Sequence, residues 1–91
     1  MQTDVRFDTD SRTNCTIMEV ITADHAGLLA SIGKVLREQH YCIHNARIST
    51  FGARAEDLFY ITNEDGDMLD AMAKEVLRNI VINELDSPVS A

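Results

Sequence analysis

Along the chain the period of the apolar residues changes several times, and each change marks an element. Thr16-Ile17-Met18-Glu19-Val20-Ile21-Thr22 is β-branched and apolar and predicts a strand. Ala23-Asp24-His25-Ala26-Gly27 predicts a turn that opens a helix. Leu28, Leu29, Ile32, Val35 and Leu36 then recur at helical spacing, with Lys34, Arg37 and Glu38 on the other side. Asp24 is placed to cap the first turn, and Lys34 and Arg37 sit late in the helix, where the dipole favours cations. Residues 43–51 and 54–62 predict two further strands joined at Gly52-Ala53, a hairpin signal. Asn63-Glu64-Asp65-Gly66-Asp67 reads as a turn-rich loop, with Asp67 as the cap of the next element. Leu69, Met72, Val76, Leu77, Ile80 and Val81 predict a second helix to about Leu85, and Pro88 beyond it discourages continuation.

The order β-α-β-β-α is most of a ferredoxin-like split βαβ unit, which needs a fourth strand antiparallel to the first. Residues 80–85 would supply it only by cutting the second helix short where neither Gly nor Pro stands. Val5-Arg6-Phe7-Asp8 offers the better solution, because the short polar connection from Thr9 to Asn14 lets it fold back as a hairpin. The expectation is an α+β domain with the order β-βαββα. It has a four-stranded antiparallel sheet, two helices on one face and the leading strand in the edge slot, a permuted ferredoxin-like arrangement. A single domain spans residues 1–91, with its ordered core over about 5–85. On the uncovered face Glu19 and Arg47 point to solvent. Strict alternation places Ile17 and Ile21 beside Glu19, and Ile43 and Phe51 beside Arg47. An open face with several large apolar residues is a candidate interface, although scattered exposed apolar residues are also ordinary.

Composition narrows the partners. Fifteen Asp and Glu against eight Lys and Arg give a net charge of −7, which disfavours nucleic acid and anionic membranes. The longest apolar run falls far short of the ~20 residues that cross a bilayer, and no secretory signal opens the chain. Cys15 and Cys42 form no framework, which suggests a reducing, cytoplasmic setting. A Cys15–Cys42 disulfide is disfavoured because their strands are not neighbours in this sheet order. Cys42, His44 and His40 lack a fourth metal ligand, so no metal or other cofactor is expected. The acidic loop lacks the ligand spacing of a calcium site, and no nucleophile constellation is present to make the chain a catalyst. An RNA-binding reading fails on its aromatics, since adjacent Phe59 and Tyr60 face opposite ways on a strand that also carries Glu56 and Asp57.

The informative stretch is Asp24-His25-Ala26-Gly27-Leu28-Leu29. Free amides at a helix start bind a small anion, Gly27 allows close approach to the backbone, and Asp24 can face an ammonium group. Together they suit a free amino acid. On residue types alone, the commoner reading of the same turn is a capped helix start with a glycine used for tight packing.

The strand, the Asp-x-x-Gly-Leu-Leu turn, the helix and Ile43-His44-Asn45-Ala46-Arg47-Ile48-Ser49-Thr50 resemble an ACT domain. The hairpin Phe51-Gly52-Ala53-Arg54-Ala55-Glu56-Asp57-Leu58-Phe59-Tyr60-Ile61 is more specific. With the leading Val-x-Phe-Asp it is similar to the last ACT domain of the bacterial protein-PII uridylyltransferase/uridylyl-removing enzymes, across about residues 5–82. The resemblance implies a regulatory C-terminal segment of a longer nucleotidyltransferase, with no catalytic residues of its own. It also implies glutamine as the amino-acid effector and a second ACT domain as partner, either another copy or the preceding domain of the same enzyme. The implied ligand contacts are Asp24, His25, Ala26, Gly27 and Leu28 at the turn, with His44 and Asn45 presented by the partner domain. His25-Ala26 stands where the family usually has Arg-Pro. Losing that proline leaves the helix start less preorganised, and a pairing domain without a ligand is the alternative.

Overall fold

The computed structural model describes residues 2–86. Its strands are β1 (Asp4–Asp10), β2 (Cys15–Ala23), β3 (Cys42–Phe51) and β4 (Arg54–Thr62), and its helices are α1 (Leu28–Glu38) and α2 (Ala71–Asp86). All neighbours are antiparallel and the sheet order is β1-β2-β4-β3. The leading strand therefore occupies the edge beside β2, with Val5 opposite Val20 and Phe7 opposite Met18. Residues 80–85 stay helical, so α2 runs through to Asp86; Pro88 lies outside the described residues.

Alternation along the two inner strands fixes which face is covered. Met18 and Val20 of β2 and Ala55, Phe59 and Ile61 of β4 are buried, while Ile17, Glu19 and Ile21 and Glu56, Leu58 and Tyr60 on the reverse are half-exposed. Leu28, Ile32, Val35 and Leu36 of α1 and Leu77 and Val81 of α2 close over the buried row as one cluster. Each fully buried aliphatic side chain contributes about 1.5–3 kcal/mol, and this face carries most of them. Leu29, Met72 and Val76 fit the helical period but fall on outward positions, with Met72 77% exposed. The stripe is narrower than the periodicity suggests.

Polar contacts settle the borders of the core. The Thr16 hydroxyl accepts the Leu69 N–H at 2.9 Å, which satisfies a buried amide in the segment before α2. Arg78 of α2 donates from Nε to the Val5 carbonyl at 3.1 Å and lies 5.6 Å from the centre of the Phe7 ring, tying the helix to the edge strand. Just ahead of that strand the Thr3 hydroxyl meets both the Thr22 hydroxyl and the Asp86 carboxylate. α1 finishes with His40 in the left-handed region (φ 65°), and the Tyr41 N–H returns to the Leu36 carbonyl at 2.9 Å.

The capping expectation for α2 is corrected. Asp70 caps α2, its Oδ1 accepting the Ala73 N–H at 2.8 Å. Asp67 instead closes the preceding loop through its backbone, where its N–H reaches the Asn63 side chain and its carbonyl accepts the Asn63 N–H. The helix thus begins at Ala71, and Leu69 is buried ahead of it. A further correction concerns β3. A bulge at His44 shifts the register between Ile43 and Asn45, so Ile43 lies opposite Ile61 on the helix side while Phe51 stays on the face of Arg47. Alternation counted through residue 44 misses this extra residue.

Because the Asp70 carboxylate is a true cap, Asp70→Ala should lower stability by about 1 kcal/mol in urea unfolding. Asp67→Ala, which removes no capping contact, should stay within about 0.5 kcal/mol of the parent.

Candidate functional site

The chain leaves β2 at Ala23, and the Asp24 N–H bonds the Ala53 carbonyl of the β3–β4 turn at 2.8 Å. This contact moors the α1 turn against the hairpin. Gly27 is the residue that begins α1, and its φ of 83° is left-handed, so the turn bends where only glycine does so without strain. Asp24 does not cap the helix, and the start has no side-chain cap at all. Only two of the first four amides find partners: Leu28 N–H bonds the His25 carbonyl at 3.2 Å and Ser31 N–H the Gly27 carbonyl at 2.9 Å. Among the described residues no acceptor meets the amides of Leu29 and Ala30. They are free donors at the positive end of the helix.

These amides border a recess of about 210 Å³. Asp24, His25, Gly27 and Leu28 line it, whereas Ala26 does not, its carbonyl meeting His25 Nδ1 at 3.0 Å. A methyl group built on Gly27 would meet no atom within 4 Å, so the turn is open to a ligand on that side. The opposite wall comes from the sheet: Ile48 and Thr50 of β3, and Ala55 and Asp57 of β4. Sequence reasoning missed these four. The signal for Asp57 was present, since it shares an inward-facing row with Ala55, Phe59 and Ile61, but apolar residues occur on both faces of β4 and hide which row is inward.

Asp57 is 1% exposed. Burial pushes its pKa up; the Ser49 N–H, which reaches Oδ1 at a long 3.4 Å, opposes that rise, and the neighbouring charge of Asp24 adds to it. The recess thus combines two free amide donors with two carboxylates, one at the rim and one at the base.

His44 and Asn45 stand elsewhere. The bulge brings both consecutive residues to one depression on the uncovered face, with Asp10, Arg12, Cys15, Arg47 and Tyr60. Thr62 donates to the Asn63 carbonyl, so His44 Nε2 donates its proton to the Thr62 hydroxyl, 2.7 Å away. Asn45 lies six residues along β3 from the Phe51 end, about 20 Å of strand, and on the opposite side of the sheet from the α1 recess. One copy does not join the two sets, and a site containing both requires a second domain. Cys42 lies apart from His44, beside Ile43 and Tyr41. Both cysteines are free, and β4 separates their strands. Among the described residues no three His, Cys, Asp or Glu side chains are placed to hold a metal ion, and no helix is long and apolar enough to cross a membrane.

Two consequences are measurable. In the native state Asp57 holds its proton to higher pH than in the unfolded chain, so folding takes up a proton there. Its contribution is therefore most favourable below the ordinary Asp value and falls as pH rises through the raised native value. Asp57→Asn should remove this fall, and urea midpoints of parent and variant measured upward from pH 4 should diverge in favour of the variant. Gly27→Ala should cost about 1–2 kcal/mol through its left-handed backbone rather than through any clash. In the same unfolding assay Gly33→Ala, inside α1 with equally open space, should stabilise by about 0.5–1 kcal/mol.

Neither a family model nor a solved structure matches the chain. Curated relatives do. The chain is 40% identical over 85 residues to the bifunctional uridylyltransferase/uridylyl-removing enzyme of Haemophilus influenzae (strain 86-028NP), covering 93% of this chain and 10% of that enzyme. Similarity to the enzyme of the same name from Psychrobacter cryohalolentis is 40% over 83 residues, covering 91% of this chain and 9% of the relative. With that from Xanthomonas oryzae pv. oryzae it is 42% over 82 residues, covering 90% and 9%. The chain spans about a tenth of the length of the curated relatives it matches. Over nearly all of its own length it is homologous to one segment of the bifunctional uridylyltransferase/uridylyl-removing enzymes.

Proposed function

We propose that the chain is a regulatory domain of the ACT type, which binds glutamine and controls an attached protein-PII uridylyltransferase/uridylyl-removing enzyme in the cytoplasm. Catalysis is assigned to the attached enzyme and not to this segment. The observation that carries the reading is the recess at the start of α1, which sets the free amides of Leu29 and Ala30 where they can meet a ligand's carboxylate and Asp24 where it can meet its ammonium group. The homologous segments in enzymes of that name support the same reading.

Affinity alone does not regulate; the ligand must favour one arrangement of domains over another. The recess lies against Ile48 and Thr50 of the edge strand β3, which is exposed along almost its whole length. A second ACT domain seated along that edge would close the recess, so a ligand held there stabilises the paired form. The separation of His44 and Asn45 from the α1 turn within one copy agrees with their contribution coming from a partner.

A pairing domain without a ligand is the second reading. The long exposed edge of β3 favours it, as does His25-Ala26 at the turn. Calorimetric titration with glutamine, followed by sedimentation with and without it, separates the two. Saturable heat together with a rise in mass is the expected outcome. A paired particle silent to millimolar glutamine selects the second reading, and a solitary, silent particle rejects both.

A further inference from the structure

We propose that Asp57 is the residue by which the α1 recess selects ligands carrying an ammonium group, so that it admits α-amino acids and discriminates against small carboxylates lacking the amine. The proposal rests on reading the recess as an amino-acid site and assigns its selectivity to a residue outside the turn.

Among the described residues Asp57 is the only charged side chain in the buried class; the other buried polar residues are all threonines. Its single hydrogen bond is the long one from the Ser49 N–H to Oδ1, and no described cation pairs with it. No fully enclosed side-chain oxygen or nitrogen lacks a partner among the described residues. The second carboxylate oxygen, which has none, is therefore not sealed in the core, and the cavity it borders is the recess. The titratable groups that share the recess with it are Asp24, whose charge is of like sign, and His25, whose Nδ1 is engaged by the Ala26 carbonyl.

A desolvated carboxylate beside another carboxylate is unfavourable unless a cation joins them. Packing does not explain it, because Ala55 and Phe59 fill the neighbouring inward positions and an apolar or hydroxyl side chain would sit between them without that cost. A ligand ammonium supplies the missing counter-charge, lying between Asp57 and Asp24 while the ligand's carboxylate meets the amides of Leu29 and Ala30. A carboxylate without the amine gains only the second contact and meets the repulsion of both acids. Asp57 is thus a specificity-determining residue.

The test is calorimetric titration of the 91-residue chain with L-glutamine and with its des-amino analogue, glutaramate. The parent, Asp57→Asn and Asp57→Ser are compared, and circular dichroism verifies folding. The parent should bind glutamine at least about tenfold more tightly than glutaramate, as expected for a charged hydrogen bond, and both variants should lose that preference while holding glutaramate at least as well as the parent does. A preference retained in both variants overturns the role of Asp57 and leaves the amino-acid reading standing. Equal loss of both ligands in both variants also overturns it, since the amine is then not what Asp57 reads. A parent that binds neither ligand overturns the amino-acid reading and the selectivity with it.

Discussion

Burial of the inner rows of β2 and β4 under two helices is the constraint on which the rest of this structure depends. Met18, Val20, Phe59 and Ile61 need a cover, and α1 and α2 together supply it, with α2 against β1 and α1 toward β3. The edge strand β3 is nevertheless covered only in part. β3 keeps an unpaired backbone edge, and Ile43 and Ile48, which point to the helix side, remain about half-exposed. The recess lies between the α1 turn and the strip of β3 and β4 that carries Ile48, Thr50, Ala55 and Asp57.

The architecture is legible in the sequence because the inner strands and the helices have clear periods. The placement of the leading strand rests on two local facts: a polar connection too short for anything but a hairpin, and a second helix with no breaker between residues 80 and 85. Features that depend on a single inserted or displaced residue escape. The bulge at His44 leaves no mark in the order of residue types, yet it reverses the face of Ile43 and puts His44 beside Asn45. The choice of Asp70 over Asp67 as cap depends on where the loop spends its hydrogen bonds, and Asn63 draws Asp67 into the loop.

The candidate site is legible only in part, for a similar reason. Asp24 and Gly27 can be picked out as residues that shape a helix start, but which amides stay free depends on what the side chains nearby do not do. Asp24 could have capped α1, and then the recess would hold one satisfied donor and no rim carboxylate. Its backbone bond to Ala53 instead holds the turn against the hairpin and leaves the side chain clear of the helix. The far wall is contributed by strands whose residues lie more than twenty positions away in sequence, and only the register of β2 with β4 and of β4 with β3 brings Asp57 and Thr50 to it.

The shared contact of Thr3 with Thr22 and Asp86 has a mechanical corollary. It rivets the beginning of β1, the end of β2 and the last turn of α2 at one corner, two residues upstream of Asp24. Both ends of the described chain are therefore pinned to the strand that leads into the α1 turn, so the turn and the two ends share one anchor.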